Sequence, residues 1–173
     1  MNKIESNSKH YRELRERQHL TREKASALME GMSASRIEKI ENGQEPTPYD
    51  IVQMASAYKS PDLCNFYCTH GCKIGEISVP EIEVSQLPNI ILQTIESLNE
   101  INPLVNRLIS IAKDGTVSDD EIEDFALIST KLEELSLTSD ALNLWVEQTI
   151  IDNKINSKLY KEAKSKIKNG GLV

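Results

Sequence analysis

Apolar positions fall into two helical stretches along the chain, with a break between them. In residues 10–18, Tyr11 and Leu14 are apolar among arginines and glutamates at helical spacing. A second helix is expected from Leu20-Thr21, with Thr21 as its N-cap and Ala25, Ser26 and Leu28 in its body. Lys24 stands where a capping box has Glu or Gln. Glu30-Gly31-Met32 reads as a turn and Ser33 as the cap of a third helix, on which Ile37 and Ile40 share a face. Asn42-Gly43 stops that helix. Pro46 and Pro48 lie in a loop, with Pro48 near the first position of a fourth helix whose apolar face is Ile51, Met54, Ala55 and Tyr58. A short fifth helix starts at Ser60-Pro61 and carries Leu63, Phe66 and Tyr67.

Residues 75–88 hold Gly75, Pro80 and Pro88 among several acids and read as an extended linker. The helical period then returns as a stripe of Ile91, Ile95, Leu98, Ile101, Val105, Leu108 and Ala112. Pro103 predicts a kink or restart within it, and Lys113-Asp114-Gly115 its end. A second helix, capped near Ser118, carries Ile122, Phe125, Ile128, Leu132 and Leu135. A third, starting near Ser139, carries Leu142, Trp145, Ile151, Ile155 and Leu159. No internal repeat of fixed period is present. The expectation is an all-α protein: a five-helix domain over residues 1–74, a linker over 75–87, and a helical bundle or hairpin over 88–173.

Composition narrows the class. In 173 residues, 39% apolar content supplies one or two small cores, and 5% aromatic content argues against an all-β protein or a base-stacking surface. Seven glycines and six prolines are too few for a low-complexity chain. No apolar run approaches the roughly 20 residues of a membrane helix. Met1 to His10 lacks a signal-peptide core, and three cysteines make an odd count for a disulfide framework. A soluble cytoplasmic protein without membrane partners is expected.

Charge is unevenly spread. Residues 1–75 carry 11 basic against 10 acidic side chains, residues 76–152 carry 3 against 16, and residues 153–173 carry 6 against 1. Only the first stretch suits a polyanion as partner; the acidic middle repels nucleic acid and is a candidate surface for a protein partner. The terminal lysines read most simply as the solvated face of a last helix.

Five short helices in about 60 residues, with a tight turn between the second and third, are the layout of a helix-turn-helix domain. Leu20-Thr21-Arg22-Glu23, the run from Ser33 to Gly43, and Pro46/Pro48 resemble the Cro and phage-repressor type, the xenobiotic-response-element (XRE) family, over about residues 10–67. The resemblance implies a lambda-repressor-like fold that docks its third helix in the major groove of double-stranded DNA. It implies that Ala34, Ser35 and Lys39 read bases and that Arg36 reads guanine or holds a phosphate. Ser33 belongs to the same reading segment, Arg22 matches a position contacting phosphate or a flanking base, and Asn42 one contacting the backbone. Arg15 and Glu41 match a partly buried ion pair joining the first and third helices. The sequence departs from the family pattern by one extra residue near Glu30, by Ser26 in place of the usual alanine, and by Glu38, which opposes phosphate unless it faces cytosine or a neighbouring arginine.

Weaker signals remain. Cys64, Cys68, His70 and Cys72 hold four soft ligands in nine residues, a spacing open to zinc, to buried structural thiols or to redox sensing. Ser110 to Glu121 mimics half of a calcium loop, with Asp114 at position five, but reads better as a helix connection capped by Ser118. Trp145 belongs to an apolar stripe. No catalytic constellation and no phosphate-binding glycine loop occurs, so neither enzyme activity nor a cofactor is expected. The leading expectation is a sequence-specific transcriptional regulator acting as a homodimer through its C-terminal helices. The other is a protein-interaction or antitoxin-like adaptor that uses the acidic C-terminal helices.

Overall fold

The computed structural model describes residues 3–113 and 115–169, and every regular element among them is helical. The chain forms two compact units: Met1–Ile82 with Val146–Val173, and Glu83–Trp145. Residues 146–173, which the hydropathy pattern joins to the C-terminal helices, therefore group with the first unit.

The first unit opens with α1 (Lys3–Arg17), α2 (Arg22–Ala27), α3 (Ala34–Glu41), α4 (Pro48–Ala57) and α5 (Leu63–Gly71). Tyr11, Leu14, Ile37, Ile40, Met54 and Leu63 are buried together in its core. α1 begins well ahead of the expected residue 10. Its early turns have no apolar period to announce them: Ile4 is exposed, and buried Ser8 donates its hydroxyl to the Ile4 carbonyl at 2.8 Å. Local caps fix the next helices. Thr21 Oγ1 accepts from the Lys24 amide at 3.2 Å, and Ser33 Oγ accepts from the Arg36 amide at 3.2 Å. Gly43, at φ 104°, turns the chain out of α3 in a conformation that glycine adopts without a Cβ penalty.

The longer α2–α3 turn is tied down on both sides. The Ser26 hydroxyl donates to the Met32 carbonyl at 2.7 Å, and the Glu30 amide donates to Gln53 Oε1 on α4 at 2.9 Å. The two departures from the family pattern thus stitch the turn in place.

A further turn of helix, α6 (Gly75–Ser78), lies inside the stretch expected to be extended. It packs on α5 because Gly75 is buried against the backbone of Cys68, where a Cβ would overlap the carbonyl group. Backbone cannot yield as a flexible side chain can. Gly75→Ala therefore lowers stability by about 1–3 kcal/mol, although alanine is the better helix former by about 1 kcal/mol. Thermal denaturation reads the loss; equal or higher stability of the variant contradicts the close approach.

The second unit contains α7 (Leu87–Ile101), a 3-10 turn at Asn102–Leu104, α8 (Val105–Ile111), a 3-10 turn at Asp119–Glu121, and most of α9 (Ile122–Ile151). The interruption expected at Pro103 is present. Ile90, Ile111 and Ile128 are buried. Lys131 on α9 meets Glu100 on α7 at 2.9 Å, and Arg107 on α8 meets Asp124 at 2.6 Å. Ser118 caps the turn before α9, its hydroxyl donating to Glu121 at 2.7 Å. Asp114, position five of the calcium-loop reading, lies outside the described residues.

α9 corrects the expected pair of helices meeting near Ser139. No glycine or proline occurs between residues 122 and 151, so Ser139 sits mid-helix. The helix that Leu159 was expected to share with Trp145 is instead divided. Asn153 adopts a left-handed φ of 59°, and Asn156 caps α10 (Ser157–Lys168) by accepting from the Leu159 amide at 3.1 Å.

Candidate nucleic-acid interface

α3 is held from behind and open in front. Ile37 and Ile40 are fully buried, and Glu41, at the last turn, is buried too. Ser33, Ser35, Glu38, Lys39 and Asn42 are exposed, whereas Ala34 and Arg36 are half-buried. The expected reading positions therefore occur on one short helix, but they are not equally free.

Glu41 is the electrostatic anchor. Its side chain is 0% exposed, and Arg15 donates to both carboxylate oxygens, from Nε at 2.6 Å and Nη2 at 3.1 Å. Arg15 Nη1 also donates to the Leu20 carbonyl at 2.6 Å, so one guanidinium joins α1, α3 and the end of the α1–α2 connection. Arg22 adds Nε to Glu41 Oε2 at 2.9 Å, and Arg12 approaches the same oxygen at 3.7 Å. Burial pushes the Glu41 carboxyl up, but the hydrogen bonds from Arg15 and Arg22 outweigh it and hold the group below its ordinary value. The pair suggested by the family resemblance is in place, with two further arginines around it. Arg12 was missed; its signal was the three-residue spacing from Arg15 on one helix face.

Arg22 still has one nitrogen directed elsewhere: Nη1 donates to Glu38 at 3.1 Å. Glu38 thus faces a neighbouring arginine, one of the two partners its position allows.

Arg36 turns inward. Its Nε and Nη2 donate to Asp50 Oδ2 at 3.2 and 2.6 Å, and Nη2 also reaches the Glu45 carbonyl at 3.1 Å. Asp50 in turn accepts from the Thr47 amide at 2.7 Å and its hydroxyl at 2.9 Å, completing a capping box on α4. Burial raises the Asp50 carboxyl, and Arg36 with Thr47 brings it below its ordinary value overall. This box, legible as Thr-x-x-Asp, escaped the sequence reading, and it occupies the guanidinium expected to meet guanine or phosphate.

The remaining positions have mixed surroundings. The Ser33 hydroxyl serves as the α3 cap, and Asn42 Oδ1 accepts a long contact from Arg12 at 3.4 Å. Ser35 and Lys39 project from the front of α3.

A helix-turn-helix domain family model matches residues 11–64. The match spans α2, the turn, α3 and α4 together with parts of α1 and α5, and it supports a DNA-binding regulator of helix-turn-helix type. No curated protein and no solved structure matches the chain. Among the described residues, no helix is long and apolar enough to cross a membrane.

The cysteine segment of the helix-turn-helix unit is not gathered into a ligand set. Cys64 is exposed and Cys68 and Cys72 are half-buried; among the described residues no group of three or more His, Cys, Asp or Glu side chains is placed to hold a metal. His70 stacks on Phe66 at 4.6 Å, with Nδ1 2.8 Å from Thr69 Oγ1. Burial pushes the Cys64 thiol up, away from a reactive thiolate.

Proposed function

We propose that this protein is a sequence-specific DNA-binding transcriptional regulator of the Cro and phage-repressor (XRE) type, acting as a homodimer. The observation that carries the reading is the form of α3: Ile37, Ile40 and Glu41 bury its back while Ser35 and Lys39 stand exposed in front. A helix of this size enters the major groove, where Lys39 supplies donors for guanine edges or phosphate and Ser35 a hydroxyl for either. Ala34 offers a methyl contact to thymine. Arg36, tied to Asp50, positions α3 against α4. The reading uses no cofactor and no catalytic step, and it places the protein with DNA in the cytoplasm.

Self-association is supported by the second unit taken alone. It leaves Leu92 65% and Ile109 64% exposed, with Ile95 and Leu98 also open. Several large apolar side chains left open on α7 and α8 call for a partner, and a second copy sets two reading helices on a two-fold axis. The adaptor reading draws on the same side chains and on the acidic run of residues 76–152, but it leaves the exposed face of α3 without a role.

Selection of bound duplexes from a random DNA pool tests the proposal. Paired half-sites about 34–36 Å apart, or a multiple of that, are the expected outcome. A pool that shows no enrichment at low salt, with a protein partner recovered instead, overturns it in favour of the adaptor.

A further inference from the structure

We infer that Glu38 restrains DNA affinity by occupying the one outward nitrogen of Arg22, at the place a backbone phosphate takes in the complex. The inference rests on the DNA-binding reading and concerns the regulation of that same surface.

Arg22 is prepositioned. Its Nε and Nη2 both lie 2.9 Å from Glu41 Oε2, and Glu41 is fully buried, so the guanidinium plane is fixed from the inner side. Nη1 is the corner left over, and it is this corner that Glu38 fills at 3.1 Å. Arg22 is 29% exposed and Glu38 53%, so the contact lies at the solvent edge of the surface that carries Ser35 and Lys39. A carboxylate oxygen and a phosphate oxygen make the same charge-assisted hydrogen bond to guanidinium. Glu38 therefore stands in for phosphate within the free protein.

Three consequences follow from the charge arrangement. First, Glu38 takes one of the two N–H groups of Nη1, and the inner pair keeps Arg22 from turning away, so a phosphate arriving at Nη1 competes with a carboxylate already on that nitrogen. Second, the displaced carboxylate stays on α3, close to the incoming phosphate, and opposes it. Third, with Arg36 committed to Asp50 as well, Arg22 and Arg36 are both internally neutralised, which suits the near-balanced charge of residues 1–75. Non-specific attraction to DNA is low in such a surface, so a larger share of the affinity comes from base edges.

Equilibrium titration of full-length Glu38→Gln with a selected duplex and with a scrambled one, over a range of salt, tests the inference. The substitution is at an exposed site and keeps the side-chain shape, so the fold is retained. Expected is an affinity gain of about three- to tenfold on both duplexes, with a slope of log affinity against log salt steeper by about 0.9, one more phosphate contact. The same change in an Arg22→Gln background, confirmed as folded by circular dichroism, yields clearly less of that gain, the remainder being the direct repulsion between Glu38 and phosphate. A gain undiminished in that background assigns the effect to overall charge and overturns the role of Nη1. Unchanged affinity on both duplexes overturns it as well. A loss confined to the selected duplex makes Glu38 a reader of cytosine instead. If neither the parent protein nor Glu38→Gln binds any duplex at about 50 mM salt, the DNA-binding reading itself fails. If the parent binds and the variant matches it, only the restraint fails.

Discussion

Glu41→Ala lowers the stability of the N-terminal unit by about 3–5 kcal/mol, a large part of the 5–15 kcal/mol that holds a typical domain. The size follows from what is left behind. Arg15 is nearly as buried as Glu41, and without the carboxylate its guanidinium is a buried cation left with the Leu20 carbonyl at 2.6 Å and a longer contact to the exposed Glu16 carboxylate at 3.4 Å. Arg12 and Arg22 lose the charge that reconciles them at close range. Urea denaturation at neutral pH reads the loss as a lower midpoint; a midpoint equal to the parent's contradicts the anchor role. The same carboxyl gives a pH dependence. Its pKa lies below the unfolded value of about 4.3, so its contribution is fully present at neutral pH and is lost as pH falls through the folded value. Acid unfolding of Glu41→Gln is correspondingly shallower, because the group that must be protonated is gone.

Ser35→Ala with Lys39→Ala lowers specific DNA affinity by roughly tenfold or more while leaving the melting temperature within a few degrees of the parent's. Both side chains are exposed on α3 and support no internal contact to Glu41 or Asp50. Arg36→Ala behaves in the opposite way. It removes the guanidinium that binds the carboxylate of the α4 capping box, leaving Asp50 to Thr47 alone, and costs about 1–3 kcal/mol of stability. Its effect on DNA binding follows from the looser seat of α3 against α4. Competition binding against a scrambled duplex, run beside thermal denaturation, separates the two classes. Arg36→Ala with unchanged stability and lost base preference reverses the assignment, making Arg36 a reader.

The chemistry of helix ends explains which elements were legible. Thr21, Ser33, Pro48, Pro103 and Ser118 act within one turn of themselves, and each stands where its local signal points. Elements without such a signal were missed or divided differently. The first turns of α1 are polar, α6 depends on the close approach of Gly75 to Cys68, and the end of α9 rests on an asparagine in a left-handed conformation. A serine at 139 has the residue type of a cap, but the helix-forming sequence on either side of it carries the chain straight through.

The candidate surface divides in the same way. The linear order of residues was enough to define α3, its buried isoleucines and the polar positions in front of them, because a 3.6-residue period is a local property. The partners of the charged groups were decided by packing alone. Arg15 meets a carboxylate 26 residues away, Arg22 one 19 residues away and Arg36 one 14 residues away. Coulomb attraction and hydrogen bonding depend on distance in space and on exclusion of water, and neither is written into spacing along the chain.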